Sequence, residues 1–313
     1  MALWISLAIA AYFLLALNGI ADKFLLSKAV KHPIAYAFYV GITGPLTLLI
    51  IPIGYLGSLF NLHFFKFDLA FQFLSRNSTI IALIGGACFP LALYFSYKAV
   101  QQTSISRILP IQGGLVPFFT LLLAFVILRE RLLPNQLIAF VFLVTGAVLI
   151  SLKKKRGEWQ ALALQNAVIS SFLFAVSLTL TKYIFLQSNF GSGLIWTRLG
   201  FFLASASFLI SRKSRGYIFN APKETSTGNK FVYLGARVSG FLAGFMQNYA
   251  IAIGSVTLVN ALQGTQYAFL LILAVVLSVR FPKILKEDVS SGKIILKVAS
   301  ILLISAGLYF LAV

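Results

Sequence analysis

The residues that carry most enzyme and metal chemistry are scarce in this sequence. Of 313 residues, only seven are acidic, two are histidine and one is cysteine. The lone Cys88 excludes an intrachain disulfide and a cysteine metal cluster. His32 and His63 both lie in predicted helix connections, which argues against a histidine-rich metal site. We therefore predict no metal and no cofactor.

Catalytic signatures are missing as well. The chain contains no His-Glu-x-x-His, no Gly-x-Ser-x-Gly and no phosphate-binding loop. Too few carboxylates and histidines are present for acid–base chemistry. We predict that the protein is not an enzyme, and an integral-membrane enzyme without a recognised motif is the alternative from another class.

Long apolar runs dominate what is present. Apolar residues make up 59% of the chain and charged residues 11%, against roughly 25% charged in soluble proteins. A membrane-spanning helix needs about 20 mainly apolar residues, which predicts an all-α membrane protein with ten transmembrane helices. The predicted spans are 3–24, 33–56, 79–99, 103–128, 134–152, 160–187, 193–211, 231–252, 255–279 and 294–312. The first is expected to be a retained helix rather than a signal peptide, because it lacks a positive n-region.

The charge is strongly unbalanced, with 26 basic residues and a formal net charge of +19. In a soluble protein this would suggest nucleic acid, but here the basic residues lie at helix ends, where the positive-inside rule expects them. Odd-numbered connections hold 18 of them and even-numbered connections four. This bias of basic residues predicts a protein of the inner (plasma) membrane whose odd-numbered loops are cytoplasmic. We expect membrane lipid as a partner and no nucleic acid.

The two halves of the chain repeat each other, at offsets of 159, 151 and 161 residues. The paired positions include Lys23 and Lys182, Gly41 and Gly200, Gln112 and Gln263, Gly113 and Gly264, Arg129 and Arg280, and Gly146 and Gly307. We predict repeats over 1–152 and 160–313. An odd number of helices inverts the second repeat, and such pairs typically build alternating-access transporters with a site near the midplane. A passive channel is a weaker alternative.

The motifs resemble those of a known group. The segment Ser104-Ile-Ser-Arg-Ile-Leu-Pro-Ile-Gln-Gly-Gly-Leu-Val-Pro-Phe-Phe-Thr120, followed by Leu128-Arg-Glu-Arg-Leu132 and Gly146, is similar to the drug/metabolite transporter superfamily and its EamA-like ten-helix branch. The resemblance implies a ten-helix transporter fold. Arg280-Phe281-Pro282 stands where the family often repeats Glu-Arg, and family members usually have cytoplasmic termini. Orientation therefore stays open.

Charged groups inside a bilayer are costly, by about 2.5 to 3.5 kcal/mol on insertion scales, and so are candidate functional residues. Lys182, Arg198 and Arg237 lie within predicted helices, and Asp22 lies near the end of the first. We expect Arg198 or Arg237 to engage a substrate carboxylate or phosphate. Snorkelling to the interface is the alternative for the basic residues, and pairing with a lysine is the alternative for Asp22.

Uncharged polar residues extend the predicted site. Thr257, Asn260, Gln263 and Tyr267 recur at helical spacing on one face, although hydrogen bonding between helices would also explain such a face. The complete predicted substrate site is Asn18, Asp22, Gln112, Lys182, Arg198, Arg237, Asn248, Asn260, Gln263 and Tyr267.

The balance of charge favours one substrate class. Asp22 is the only acidic residue in or near the predicted helix interiors, whereas a cation exporter needs a buried acid. We predict a secondary transporter of small polar metabolites, with amino acids or other zwitterionic or anionic solutes favoured and a cationic drug exporter as the alternative. Proton or ion coupling and the direction of transport stay open, and we expect a monomer or weak dimer.

Overall fold

The computed structural model describes residues 2–28, 32–49, 51–52, 71–103, 105–151, 161–220, 227–280 and 291–312. The side chains of Asp22 and Arg237, although they belong to described helices, lie outside the described part. The predictions made for these two residues are therefore not addressed by the structure.

The described ranges are predominantly helical and contain no strand, which confirms the predicted all-α class. The helices are α1 (Leu3–Lys28), α2 (Pro33–Gly41), α3 (Arg76–Gln102), α4 (Ile105–Leu123), α5 (Pro134–Ser151), α6 (Ala161–Gln187), α7 (Phe190–Ser207), α8 (Arg212–Asn220), α9 (Thr227–Ile253), α10 (Val256–Ala261), α11 (Gln263–Arg280) and α12 (Ser291–Ala312). A 3₁₀ turn, Gly44–Leu49, follows α2, and a π-helical turn, Ala124–Leu128, extends α4. Every predicted span overlaps a helix, and the ninth is divided at Leu262.

Helix ends follow local sequence signals. The Asn189 side chain accepts a hydrogen bond of 2.9 Å from the Ser192 amide at the start of α7, as N-cap residues do. Helices α2 and α5 begin at Pro33 and Pro134, where proline loses no helical hydrogen bond. The π-helical turn after α4 ends at Leu128, and the next residue, Arg129, has a left-handed φ of 54°, which turns the chain sharply.

Six described helices are long and apolar enough to cross a membrane, and a seventh span results if α7 and α8 are counted together. Three shorter apolar helices are Pro33–Leu49, Val238–Ile253 and Leu296–Ala312. These lengths establish a multi-pass membrane protein and are compatible with ten spans, although the number ten stays a prediction. Helix α8 is bent by 104° from α7.

Helix packing crosses between the two halves of the sequence. Helix α3 packs along α6, α1 along α9, and α5 along α12; α4 also contacts α6, and α11 contacts α1. In the predicted repeat, α1 corresponds to α6, α3 to α9 and α4 to α11. The contact of α3 with α6 therefore corresponds to the contact of α9 with α1, and the contact of α4 with α6 corresponds to that of α11 with α1. The contacts needed by an inverted repeat are thus present, while the repeat boundaries stay a prediction.

Glycines bring α3 and the 3₁₀ turn after α2 into close contact with α7. A Cβ on Gly86 of α3 would overlap the Thr197 carbonyl oxygen and lie 2.8 Å from the Phe201 amide nitrogen. A Cβ on Gly44 would lie 2.8 Å from the Arg198 carbonyl oxygen. Both glycines therefore bring backbone close to backbone, and they hold the middle of α7, including Arg198, in a fixed place.

Candidate substrate-binding site

A cavity of about 260 Å³ lies between α1, α2, α3, α6, α7 and α9. Three residues of the predicted site line it, namely Asn18, Arg198 and Asn248. Its volume is below the roughly 300 to 1,000 Å³ typical of pockets for drug-sized ligands. The cavity therefore suits a small solute. Further polar residues on its wall are Tyr36, Thr43, Thr47, Tyr97, Ser177, Thr181, Thr197 and Gln247.

Arg198 extends from α7 across the cavity to α9. Its Nη2 atom would lie 3.3 Å from a Cβ placed on Gly244, so the absence of a side chain there makes room for the guanidinium. The Cζ atom lies 5.6 Å from the centre of the Phe201 ring. No hydrogen-bond or ion-pair partner for the guanidinium exists in the described part of the chain. Its five N–H donors are therefore available to a ligand.

Asn18 of α1 lies beside the same face of α9, one turn earlier. Its Nδ2 atom would lie 2.9 Å from a Cβ on Gly240. Its Oδ1 atom is buried and has no hydrogen-bond partner among the described residues. Gly240 and Gly244 are four residues apart, which is about 6 Å along a helix. The side chains of Asn18 and Arg198, which both line the cavity, therefore lie about one turn of α9 apart.

Asn248 continues this face by a further turn. Its Nδ2 atom donates a hydrogen bond of 2.6 Å to the Gly244 carbonyl oxygen, which fixes the amide against its own helix. Asn248 also lines the cavity.

The described wall of the cavity carries positive charge only. Glu130 is the one acidic residue whose side chain the structure describes. Its carboxylate accepts a hydrogen bond from the Ser255 hydroxyl, and it does not line the cavity. Arg198 is thus not neutralised by any described acid.

Two predicted site residues instead join helices. The Gln112 Nε2 atom donates hydrogen bonds to Ser96 Oγ at 2.9 Å and to Ser170 Oγ at 3.0 Å, which connects α4 with α3 and α6. The Asn260 Nδ2 atom donates to Thr120 Oγ1 at 2.7 Å, which connects α10 with α4. Buried amides commonly join membrane helices in this way.

The rest of the predicted polar stripe also lies apart from the cavity. Tyr267 is 7% exposed, and its ring lies 3.1 Å from the position of a Cβ on Gly113 of α4. Gln263 begins α11 and is partly exposed, and it does not line the cavity. The predicted face thus contacts α4 at Asn260 and Tyr267.

Lys182 closes one end of the bundle rather than lining the cavity. Its Nζ atom donates to the Ala252 carbonyl oxygen at 3.0 Å and to the Gly254 carbonyl oxygen at 2.9 Å, at the C-terminal end of α9. The preceding residue, Thr181, does line the cavity. Next to this contact, Ser255 is held by Glu130. The link between α9 and α10 is therefore fixed from both α6 and the turn after α4.

The α2 wall was not predicted from the sequence. Tyr36, Val40, Thr43 and Thr47 line the cavity, with Thr43 and Thr47 donating to the Val40 and Gly44 carbonyl oxygens at 2.7 and 2.6 Å. Their spacing of four, three and four residues places them on one helical face. That spacing was the available signal.

Comparison with known proteins agrees with this architecture. Residues 2–152 match the sequence model of the EamA-like transporter family. The predicted resemblance is thereby confirmed, and a match to the EamA-like family implies a membrane transporter of small solutes.

Solved structures add the fold over nearly the whole chain. Among them, 27 chains match, and one crystal structure superposes with a TM-score of 0.64 at 13% sequence identity, covering 97% of this chain and 98% of the other. At that identity the likeness shows a shared fold alone. No curated protein matches the sequence.

Proposed function

We propose that this protein is an alternating-access carrier that binds a small anionic or zwitterionic metabolite at Arg198. The observation that carries the proposal is a guanidinium inside the membrane-spanning bundle that has no hydrogen-bond or ion-pair partner among the described residues. Such a group is costly in a membrane, and a carboxylate or phosphate would supply a bidentate, charge-assisted partner. Substrate binding would thus compensate the positive charge on the cavity wall.

The neighbouring acceptor favours a zwitterion. Asn18 Oδ1 is buried without a donor among the described residues, and it lies about one helical turn from Arg198 along α9. An ammonium group on the substrate would donate to Asn18 while its carboxylate binds Arg198. Amino acids have both groups at short separation and are small enough for a cavity of about 260 Å³.

The same wall disfavours a cationic substrate. A quaternary amine would have to approach the Arg198 guanidinium without an opposing carboxylate on the described lining. Like charges at short distance in a low-dielectric site repel strongly. The cationic drug exporter therefore receives less support from the cavity than an anion or zwitterion carrier.

Alternating access would account for the fact that helices of both predicted repeats line the cavity. Helices α1, α2 and α3 come from the first predicted repeat, and α6, α7 and α9 from the second. A site shared by two bundles can be exposed to either side when one bundle rocks against the other. Transport rather than catalysis is the proposal, because the described lining offers binding groups and no paired acid and base.

A thermal-shift screen of the purified protein tests this proposal. The probes are amino acids, nucleotides, sugar phosphates and quaternary amines, because a ligand that binds the folded state raises the melting temperature, by the equivalent of about 2.7 kcal/mol at a hundred times its Kd. We expect an amino acid or another anionic compound to stabilise wild type. Arg198→Gln should abolish that shift, and Asn18→Leu should weaken it for amino acids more than for purely anionic probes.

Arg131→Gln is the matched control, because it removes one exposed basic residue outside the cavity. It should retain the full ligand shift. Stabilisation by quaternary amines only, or a shift that survives Arg198→Gln unchanged, would contradict the proposed site. The stabilising compound is then tested for saturable uptake into proteoliposomes, since flux without saturation would indicate a channel.

A further inference from the structure

Helix α8 has the shape and position of a helix that lies on a membrane surface. It is bent by 104° from α7, so it runs across the direction of the spanning helix that precedes it. Its nine residues include Arg212, Lys213 and Arg215, and three cations in so short a helix would be costly in the hydrocarbon core. Such a helix is expected at the level of the lipid headgroups.

One face of α8 is docked onto the protein. Ile218 is fully buried and Ser214 is 8% exposed. The Tyr39 hydroxyl donates a hydrogen bond of 2.8 Å to the Ile218 carbonyl oxygen, and the His32 ring stacks on Tyr217 with centroids 3.7 Å apart. These contacts fix the orientation of the helix, and with it the face that points outward.

The outward face combines basic and apolar groups. Arg212, Lys213 and Arg215 are all exposed. Phe219 is 59% exposed, and it shares a face with Arg212 and Arg215 because the three positions are three and four residues apart. Ile210, just before the helix, is 81% exposed. Basic residues beside exposed apolar side chains are typical of interfacial helices that insert at the headgroup boundary.

We propose that the outward face of α8 is a binding surface for anionic phospholipid headgroups of the surrounding leaflet. No acidic residue occurs between 189 and 220, so nothing in this segment neutralises the three cations. Their side chains bind lipid phosphates, while Phe219 and Ile210 enter the acyl boundary. The surface is separate from the cavity, because no residue of α8 lines it, and this proposal does not depend on the transported solute.

Titration of the full-length protein in neutral detergent with short-chain phosphatidylglycerol or phosphatidylcholine tests the surface. Juxtamembrane cations contribute about fivefold each to binding of an anionic surface. We expect the triple variant Arg212→Gln, Lys213→Gln, Arg215→Gln to weaken phosphatidylglycerol binding on the order of a hundredfold, with little effect on phosphatidylcholine. Binding to wild type should also fall with added salt.

The matched control is the triple variant Arg76→Gln, Arg129→Gln, Arg131→Gln, which removes three exposed arginines outside α8. It should retain phosphatidylglycerol binding within about threefold. Equal losses in both triple variants would overturn the proposal by showing a general charge effect. Undiminished binding by the α8 variant would overturn it as well.

Two further measurements test the insertion of Phe219 and the identity of the anionic ligand. Phe219→Ser leaves every cation in place and should weaken binding of long-chain more than short-chain phosphatidylglycerol, whereas an effect independent of chain length contradicts insertion of Phe219. Inorganic phosphate is the competing source of the same chemistry. Displacement of phosphatidylglycerol by millimolar phosphate at constant ionic strength would overturn the assignment to lipid.

Discussion

Substitution of Gly86 by alanine should destabilise the protein strongly, although it adds a single methyl group. The new Cβ would overlap the Thr197 carbonyl oxygen, and it would lie 2.8 Å from the Phe201 nitrogen and 2.9 Å from the Thr197 carbonyl carbon. All of these are backbone atoms, so no change of rotamer can relieve the contact. Helices α3 and α7 would have to move apart along their contact.

The expected cost follows from overpacking, which is typically about 1 to 3 kcal/mol and occasionally more. Three simultaneous backbone contacts place Gly86→Ala at the upper end, about 3 kcal/mol. A chain of this size loses roughly 2 °C of melting temperature per kcal/mol, so a decrease of about 6 °C is expected. Thermal unfolding in a single detergent, followed by tryptophan fluorescence, measures it.

Gly235→Ala is the control, because it makes the same glycine-to-alanine change in a helix without the steric overlap. Gly235 also lies in a helix, α9, but nothing lies within 4 Å of an added Cβ. Alanine has the better helix propensity by about 0.8 to 1 kcal/mol, so this variant should melt slightly above wild type. The steric reasoning is refuted if Gly86→Ala melts within about 1 °C of wild type, or if both variants lose stability equally.

Two further predictions concern buried polar contacts. Lys182→Met removes both hydrogen bonds to the carbonyl oxygens at the C-terminal end of α9 and should lower the free energy of unfolding by about 1 to 3 kcal/mol. The control Lys213→Met, at an exposed position, should change the free energy of unfolding little. Equal effects of the two substitutions in thermal unfolding would contradict a stabilising role for the Lys182 contact. In a double-mutant cycle, Asn260→Leu and Thr120→Val should be non-additive by roughly 0.5 to 1.5 kcal/mol, because each substitution alone breaks the same hydrogen bond. Additivity would show that this bond does not contribute.

The positions of the helices could be predicted because lipid allows few structures to cross it. Apolar runs such as 134–152 correspond closely to the observed Pro134–Ser151, since a spanning helix must be apolar over most of its length. Arg198 was identified for a related reason. A cation in the middle of such a run is costly, which makes it a candidate for a polar interior. Arg198 lines the cavity, whereas Lys182, selected for the same reason, bonds to main-chain oxygens.

The partners of the polar side chains could not be predicted in the same way. Gln112 and Asn260 had to face away from lipid, but a neighbouring helix and a solute cavity both satisfy that condition. In the structure both residues bond to hydroxyls of other helices. The bend before α8 was likewise missed, because the apolar pattern of the predicted span 193–211 does not carry the direction of the chain that follows it.

The contact made by Lys182 has a consequence for how variation in related sequences should be interpreted. Its two acceptors are main-chain oxygens of Ala252 and Gly254, and every amino acid supplies such an oxygen. Exchanges at 252 leave the bond intact, and exchanges at 254 are restricted by the Trp4 ring, 2.6 Å from the position that a Cβ would take there, rather than by Lys182. Positions 182 and 252 therefore have no reason to covary, and methods that infer contacts from paired substitutions would not detect this one.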